Sequence, residues 1–297
     1  MTSIHVILAY ATQQDLDLFM FDVKTAFLNA ELKQEIYIHQ IPGYPNDDPS
    51  MVNRLLHALY GLKQSSHEWY NLLCAILLSL GLQCCDVDKA VFFGHWTVPP
   101  YSSIPMPSDS SPLLIIIPVY VNDRLTATNL TLLYHWLIME INKHFEVKDL
   151  GPASMYLGIH IKCDRENQKI FLSQCPFITD LLTQYDMTKA APSKVPLHSK
   201  LHDLSDPPPN TLPDIKDSDL IPTYQSLVRS LIYLAVCSRP DIAYTAMALG
   251  VFSSKPTHTH LLAAKGVLCY LAGTMNFALI YGGALPNDPM YHEHAVS

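Results

Sequence analysis

Asp22 and Asp123 each close an apolar run. Asp22 ends LDLFMFD, and Asp123 follows LLIIIPVYVN about 100 residues further on. If the two runs are neighbouring strands, their carboxylates converge. A carboxylate pair suits magnesium, which takes hard oxygen ligands and keeps positions for water and substrate phosphates. Two such ions close together stabilise both the attacking and the leaving oxygen of an in-line phosphoryl transfer. The plainer reading is a solvated strand end and a turn, since Asn-Asp is ordinary turn chemistry. On spacing alone the plainer reading wins. Asn122 sharpens the question: an amide beside Asp123 is either a turn former or a lost carboxylate.

The elements that must position these residues follow from apolar periodicity. Leu16 to Asp22 reads as a strand, after a helix over Ile4 to Gln14. A short helix over Thr25 to Leu32 and a strand over Glu35 to Gln40 come next. Val52 to Leu82 has a helical pattern broken near GLKQSS. Ala90 to Phe93 is a short strand. The segment from Thr97 to Pro112 is a Pro- and Ser-rich loop. Leu113 to Asn129 reads as a hairpin with Asn122-Asp123 at its tip. A helix over Leu130 to Phe145, a second hairpin (Met155 to Lys162 with Lys169 to Leu172) and a helix over Pro176 to Tyr185 complete the mixed body. Seven prolines between Pro192 and Pro222 predict a linker without regular structure. Helices over Thr223–Cys237, Asp241–Phe252 and Thr257–Leu271 follow it. Arg239-Pro240-Asp241 reads as helix termination and capping.

Composition narrows the class. Of 297 residues, 49% are hydrophobic and 15% charged, which predicts a folded core. The formal charge of −8 excludes a strongly basic nucleic-acid binder by bulk charge, though not a local basic groove. The seven cysteines show no CxxC spacing, and no signal peptide is evident. An intracellular, reduced protein, cytoplasmic or nuclear and not secreted, is therefore expected. The longest apolar run, Leu113 to Val121, is about half of a membrane span, so no membrane partner is expected. The oligomeric state is open.

Several motifs stand in a fixed order. They are FDVKTAFLNAELKQEIYIHQIPGY, ALYGLKQSSHEWY, YVND, FEVKDLGPASMYLGIHI, IFLSQCPFITDLL and the long segment from YQSLVRSLIYLAVCSRPDIAY to FALIY. Together, from about Thr2 to Tyr281, they resemble the reverse transcriptase region of copia-type retrotransposon polyproteins. The resemblance implies an α+β right-hand polymerase. Residues 1–190 would form the palm and partial fingers, 191–222 a linker, 223–281 a helical thumb- or connection-like region, and 282–297 a tail. It implies an RNA-directed DNA polymerase acting on an RNA template, a DNA primer and deoxynucleoside triphosphates with two magnesium ions.

Roles carry over residue by residue. Asp22 matches the metal-binding aspartate of the first palm motif, and Asp123 is the second metal ligand, with Asn122 beside it in the catalytic set. Phe27 matches the aromatic under the sugar of the incoming nucleotide, where a ring disfavours a 2′-hydroxyl. Gln64, Lys63 and Tyr120 are substrate-binding positions, and Tyr156, Leu157 and Gly158 brace the primer 3′ end. A glycine there permits close approach of another backbone. Lys143 and Lys148 are candidates for the triphosphate or template backbone. Without the resemblance, Phe27 reads as a core aromatic, Gly158 as a tight strand crossing, and the lysines as solvated surface.

The sequence also departs from the family. The expected tip is Tyr-x-Asp-Asp, and here it is Tyr120-Val121-Asn122-Asp123. The amide keeps shape and one oxygen but loses charge, leaving two carboxylates for two ions. Losing one charge-stabilising donor in other active sites costs roughly 10²–10³ in rate, and a direct ligand is expected to cost at least that. Asp123 is not expected to stand in for its neighbour, because successive strand residues face opposite ways. Ser66 and His67 stand where the family continues with Pro and Arg, removing a positive charge. The basic fingers segment expected upstream, and the ribonuclease H motifs expected downstream, are not in the sequence, so it reads either as a truncated, decaying copy of an element or as a fragment. Two function classes follow. One is an impaired polymerase; the other is an inactive polymerase-fold remnant that at most binds nucleic acid or a protein.

Overall fold

The computed structural model describes residues 1–44, 48, 50–98, 104, 111–120, 123–197 and 217–282. The chain forms two compact units, one over Thr2–Ala153 and a second beginning at Ser154. That division falls earlier than the expected boundary near residue 190.

The first unit is built on a six-stranded antiparallel sheet. Its strands are β1 (Asp17–Val23), β4 (Gln83–Cys84), β5 (Val91–Trp96), β6 (Leu113–Tyr120), β7 (Asp123–Thr128) and β8 (Val147–Pro152), in the order β4-β5-β6-β7-β1-β8. Alternation explains the layering. Phe21 and Val23 on β1, with Ile115 and Ile117 on β6, enter one core with Trp69 and Leu73 of α2 (Ser65–Ser79) and with Leu133, Leu137 and Ile141 of α3 (Thr131–Asn142). Each such fully buried side chain contributes roughly 1.5–3 kcal/mol relative to exposure. Truncating fully buried Trp69 to Ala should cost about 3–5 kcal/mol. Leu18, Met20, Leu125 and Ala127 are buried on the alternate positions, and α1 (Thr2–Gln13) contacts β6 and β7. The helix α2 ends where Gly81 takes φ +84, a conformation that side chains resist.

A small hairpin of β2 (Glu31–Ile38) and β3 (Asn53–His57) packs near α2 in the same unit. The start of the region expected to be helical is therefore a strand. The run NRLLH is too short to nucleate a helix alone, whereas pairing Leu55 with Ile36 gives its backbone partners. The strand β8, which periodicity did not reveal, pairs with β1 through a register shift between Met20 and Phe21.

The second unit holds a four-stranded antiparallel sheet, β12-β11-β10-β9. The strands are β9 (Met155–Tyr156), β10 (Ile159–Asp164), β11 (Lys169–Ser173) and β12 (Leu279–Gly282). Its helices are α4 (Cys175–Gln184), α5 (Asp217–Cys237), α6 (Ala243–Gly250) and α7 (His258–Gly273). Ile178 and Leu181 of α4 share a core with Leu227 and Leu231 of α5 and with Leu261 and Leu268 of α7. The strand β12 pairs with β11, returning the chain to the hairpin. The segment expected to be wholly linker ends earlier than expected, because Pro222 lies inside α5. It forgoes one i→i−4 bond, while buried Tyr224, Leu227 and Leu231 hold the helix. Asp219–Cys237 is long and apolar enough to cross a membrane by length and composition, but its apolar face lines this core. Buried Arg239 joins the helices: its Nη2 lies 2.7 Å from Asp241 Oδ2, and its Nη1 donates to the Thr274 carbonyl at 3.0 Å.

Candidate active site

The end of the first sheet carries a row of polar side chains. In the antiparallel ladders Asp22 pairs with Asp123, Asp22 pairs on its other side with Lys148, and Asp123 pairs with Tyr120. Directly opposed residues on antiparallel strands share one face, with Cβ atoms about 4.5–5.5 Å apart. Lys148, Asp22, Asp123 and Tyr120 thus stand in line across four strands. The ladder brings Asp22 and Asp123 to one position.

Electrostatics mark this pair. Partial burial of the carboxyl raises the Asp123 pKa above the ordinary value. The negative charge of Asp22 raises it further, and Arg124 opposes both. Like charges directly opposite each other destabilise a ladder, and a cation between them would relieve that repulsion. Among the described residues no group of three or more His, Cys, Asp or Glu could hold a metal. Two carboxylates nonetheless fit magnesium as it is commonly held, by one or two carboxylates with water and substrate phosphates completing the shell.

Support for the row comes from the opposite face. Arg124, next in chain to Asp123, is fully buried, with its guanidinium 5.1 Å from the Trp69 ring and 5.9 Å from the Phe21 ring. From α3, the Tyr134 hydroxyl lies 2.9 Å from the Met20 carbonyl and 2.6 Å from Asp149 Oδ1. The same Asp149 oxygen accepts the Gly151 N–H at 2.8 Å. These bonds pin the register shift immediately before Asp22. Burial first, and Asp149 second, hold the Tyr134 proton well above the usual phenol range.

The other expected residues are dispersed. Phe27 lies on a single 3₁₀ turn, Ala26–Asn29, entered through Thr25 at φ 47, and it is nearly buried. Its ring meets the Tyr60 ring edge to face at 4.6 Å. Lys63 is exposed just before α2. The Gln64 side-chain amide donates to Gln34 Oε1 at 3.1 Å. Lys143 pairs with Glu140 at 2.7 Å. Asn122 lies outside the described residues. Tyr156, Leu157 and Gly158 belong to the second unit. There the Tyr156 ring is buried, and the turn Leu157-Gly158 is left-handed at φ 49 and 72. Tyr233 Oη donates to the Leu157 carbonyl at 2.6 Å. A Cβ on Gly158 would come within 2.8 Å of that hydroxyl, which is why glycine stands there.

Sequence reasoning missed Arg124, Tyr134 and Tyr60. Arg124 gave no signal, because a charge beside a turn reads as solvated. An aromatic before the turn-forming Gly61 was a signal for Tyr60. Tyr134 gave none, since its partners are distant in sequence.

Residues 1–199 match the pattern of the family described as reverse transcriptase (RNA-dependent DNA polymerase). The chain is 35% identical over 287 residues to the retrovirus-related Pol polyprotein from transposon TNT 1-94 of Nicotiana tabacum, covering 96% of this chain and 21% of that polyprotein. It is 34% identical over 280 residues to the Pol polyprotein from transposon RE1 of Arabidopsis thaliana, covering 94% and 17%. It is 31% identical over 261 residues to a transposon Ty5-1 protein of Saccharomyces cerevisiae, covering 88% and 78%. The chain thus spans about a fifth of the length of the two plant polyproteins. No solved structure gives a significant match.

Proposed function

Because the chain belongs to the reverse transcriptase (RNA-dependent DNA polymerase) family of copia-type retrotransposons, we propose that its first unit carries a nucleotidyl-transfer site that joins deoxynucleotides to a primer on an RNA template. The observation that carries this reading is the opposition of Asp22 and Asp123 across the β1–β7 ladder. In it, the six-stranded sheet with α2 and α3 is the palm, the β2–β3 hairpin part of the fingers, and the helices of the second unit the thumb or connection.

Asp22 and Asp123 would hold divalent magnesium. When bound, the ion supplies charge neutralisation and alignment for in-line transfer. Lys148, next in the row, adds a positive charge on the Asp22 side. Phe27 backs the wall of the sugar position, and in the second unit the Leu157-Gly158 turn is the expected primer brace. Asn122 supports a second reading, an inactive polymerase fold that only binds. It offers an amide where the family has a carboxylate, and charge is what a cation site needs.

Primer extension on an RNA template, with magnesium and then manganese, separates the readings. The Asn122→Asp variant should extend at least about 10²-fold faster than the native chain, and Asp22→Ala should not extend. Native extension that survives Asp22→Ala would contradict the site. Extension by neither native nor Asn122→Asp protein would favour the binding-only fold.

A further inference from the structure

Tyr60 stands on the turn Leu59–Leu62 between β3 and α2 and is 58% exposed. The turn is built to present it. Gly61 takes φ +96 with no atom within 4 Å of where a Cβ would stand, so glycine serves the backbone rather than space. A positive φ at the third position, with the Leu62 N–H donating to the Leu59 carbonyl at 3.4 Å, is the type II pattern. Ser65 Oγ donates to the same carbonyl, and the Ala58 N–H donates to the Ala30 carbonyl at 2.9 Å. These bonds tie the turn to the segment that carries Phe27.

The two rings meet at 4.6 Å and 62°, yet Phe27 is only 8% exposed. Most of the aromatic surface that this pair offers to solvent therefore belongs to Tyr60. Phe27 is five residues from Asp22, so their Cα atoms lie within about 18 Å even on an extended chain. The left-handed Thr25 bends the chain within that span. A presented ring, backed by a residue five positions from one of the two opposed carboxylates, fits one ligand class. A nucleoside triphosphate brings phosphates, a divalent ion and a flat base together.

We propose that Tyr60 is a further substrate-contacting residue, its ring packing on the sugar and base of the incoming nucleotide with Phe27 as its buried backing. The inference rests on the polymerase reading of the Asp22–Asp123 site.

Equilibrium binding of a fluorescent deoxynucleoside triphosphate to the full chain, with manganese, tests it without turnover. Tyr60→Ala should weaken binding by about 5- to 150-fold, the range for losing one stacked base contact. Tyr60→Phe should keep native affinity, because the ring makes the contact. Tyr244→Ala, at a residue 70% exposed on α6 of the second unit, should bind as the native chain does. Hydroxyl-radical footprinting then reads contact itself: oxidation of Tyr60 should fall when nucleotide binds. Native affinity in Tyr60→Ala, with binding lost in Asp22→Asn, would overturn the Tyr60 role and leave the polymerase site standing. Unchanged oxidation of Tyr60 in the nucleotide complex would overturn it as well. Absence of nucleotide binding by the native chain would overturn both.

Discussion

Replacing Asp22 by Asn should stabilise the metal-free protein and abolish its stabilisation by divalent ions. The two carboxylates face each other across one ladder position. Two unit charges about 5 Å apart repel by about 0.8 kcal/mol in water and about 3 kcal/mol at an effective dielectric of 20. Asp123 is an exposed residue whose carboxyl is only partly shielded from water, so the lower figure is nearer, and about 1 kcal/mol is the expected gain. For a unit of about 150 residues that is a rise of roughly 2–4 °C in the midpoint. An ion at a hundred times its dissociation constant stabilises the native chain by about 2.7 kcal/mol, and the variant should lose this increment. The assay is thermal unfolding followed by circular dichroism, with chelator and then with manganese. A pH control accompanies it. The Asp123 pKa is raised in the fold, so the pair's repulsion is absent when Asp123 is protonated and grows as pH rises through that raised value. The advantage of Asp22→Asn in chelator should therefore vanish at low pH. A variant less stable than native in chelator, or one that still responds to manganese, would refute the reasoning.

Other outcomes follow from the same structure. Tyr134→Phe leaves the Met20 carbonyl and Asp149 without the phenol. It should cost about 1–3 kcal/mol in denaturant unfolding and slow extension in an Asn122→Asp background. Burial raises the Asp241 pKa, but the hydrogen bonds and charge of Arg239 outweigh it, and the net shift is downward. Asp241 therefore contributes stability above the ordinary carboxylate pKa of 3.8 that is lost as pH falls through its lower folded value. Asp241→Asn should flatten that acid limb and, by stranding buried Arg239, cost about 3–5 kcal/mol at neutral pH, measured by urea unfolding across pH. Gly158→Ala meets both a positive φ and the Tyr233 hydroxyl. It should destabilise the second unit by more than about 1 kcal/mol, and adding Tyr233→Phe should recover only the steric part, read by the same unfolding assay.

Local chemistry made much of the fold legible. The run LLIIIPVYVNDRLTAT carries its strands openly, and β6 and β7 lie where its apolar run and the following segment place them. The helices α3, α4 and α7 likewise follow their stripes. Short pieces were less legible. NRLLH became β3 because β2 offered it partners, and VKDLGP became the edge strand β8 without any alternation to show it. Pro222 looked like linker, but the buried face of α5 outweighed one lost hydrogen bond. The division at Ala153/Ser154 was hidden because it depends on β12 returning to β11 more than 100 residues later.

The candidate site was legible through collinear motifs, not through spacing. Nothing in a separation of about 100 residues says that Asp22 and Asp123 share a ladder position. That follows only once β1 inserts between β7 and β8. Arg124 was opaque for a related reason. A charged residue beside a turn reads as solvated, whereas here alternation drives it inward onto Trp69 and Phe21.

The Asp22–Asp123 row as a cation site is tested most directly by manganese paramagnetic broadening in the isotope-labelled full chain. Resonances of Asp22, Asp123 and Tyr120 should broaden first and together, and Asp22→Asn should abolish the effect. Broadening centred on other carboxylates, or broadening of this row that persists in Asp22→Asn, would contradict it.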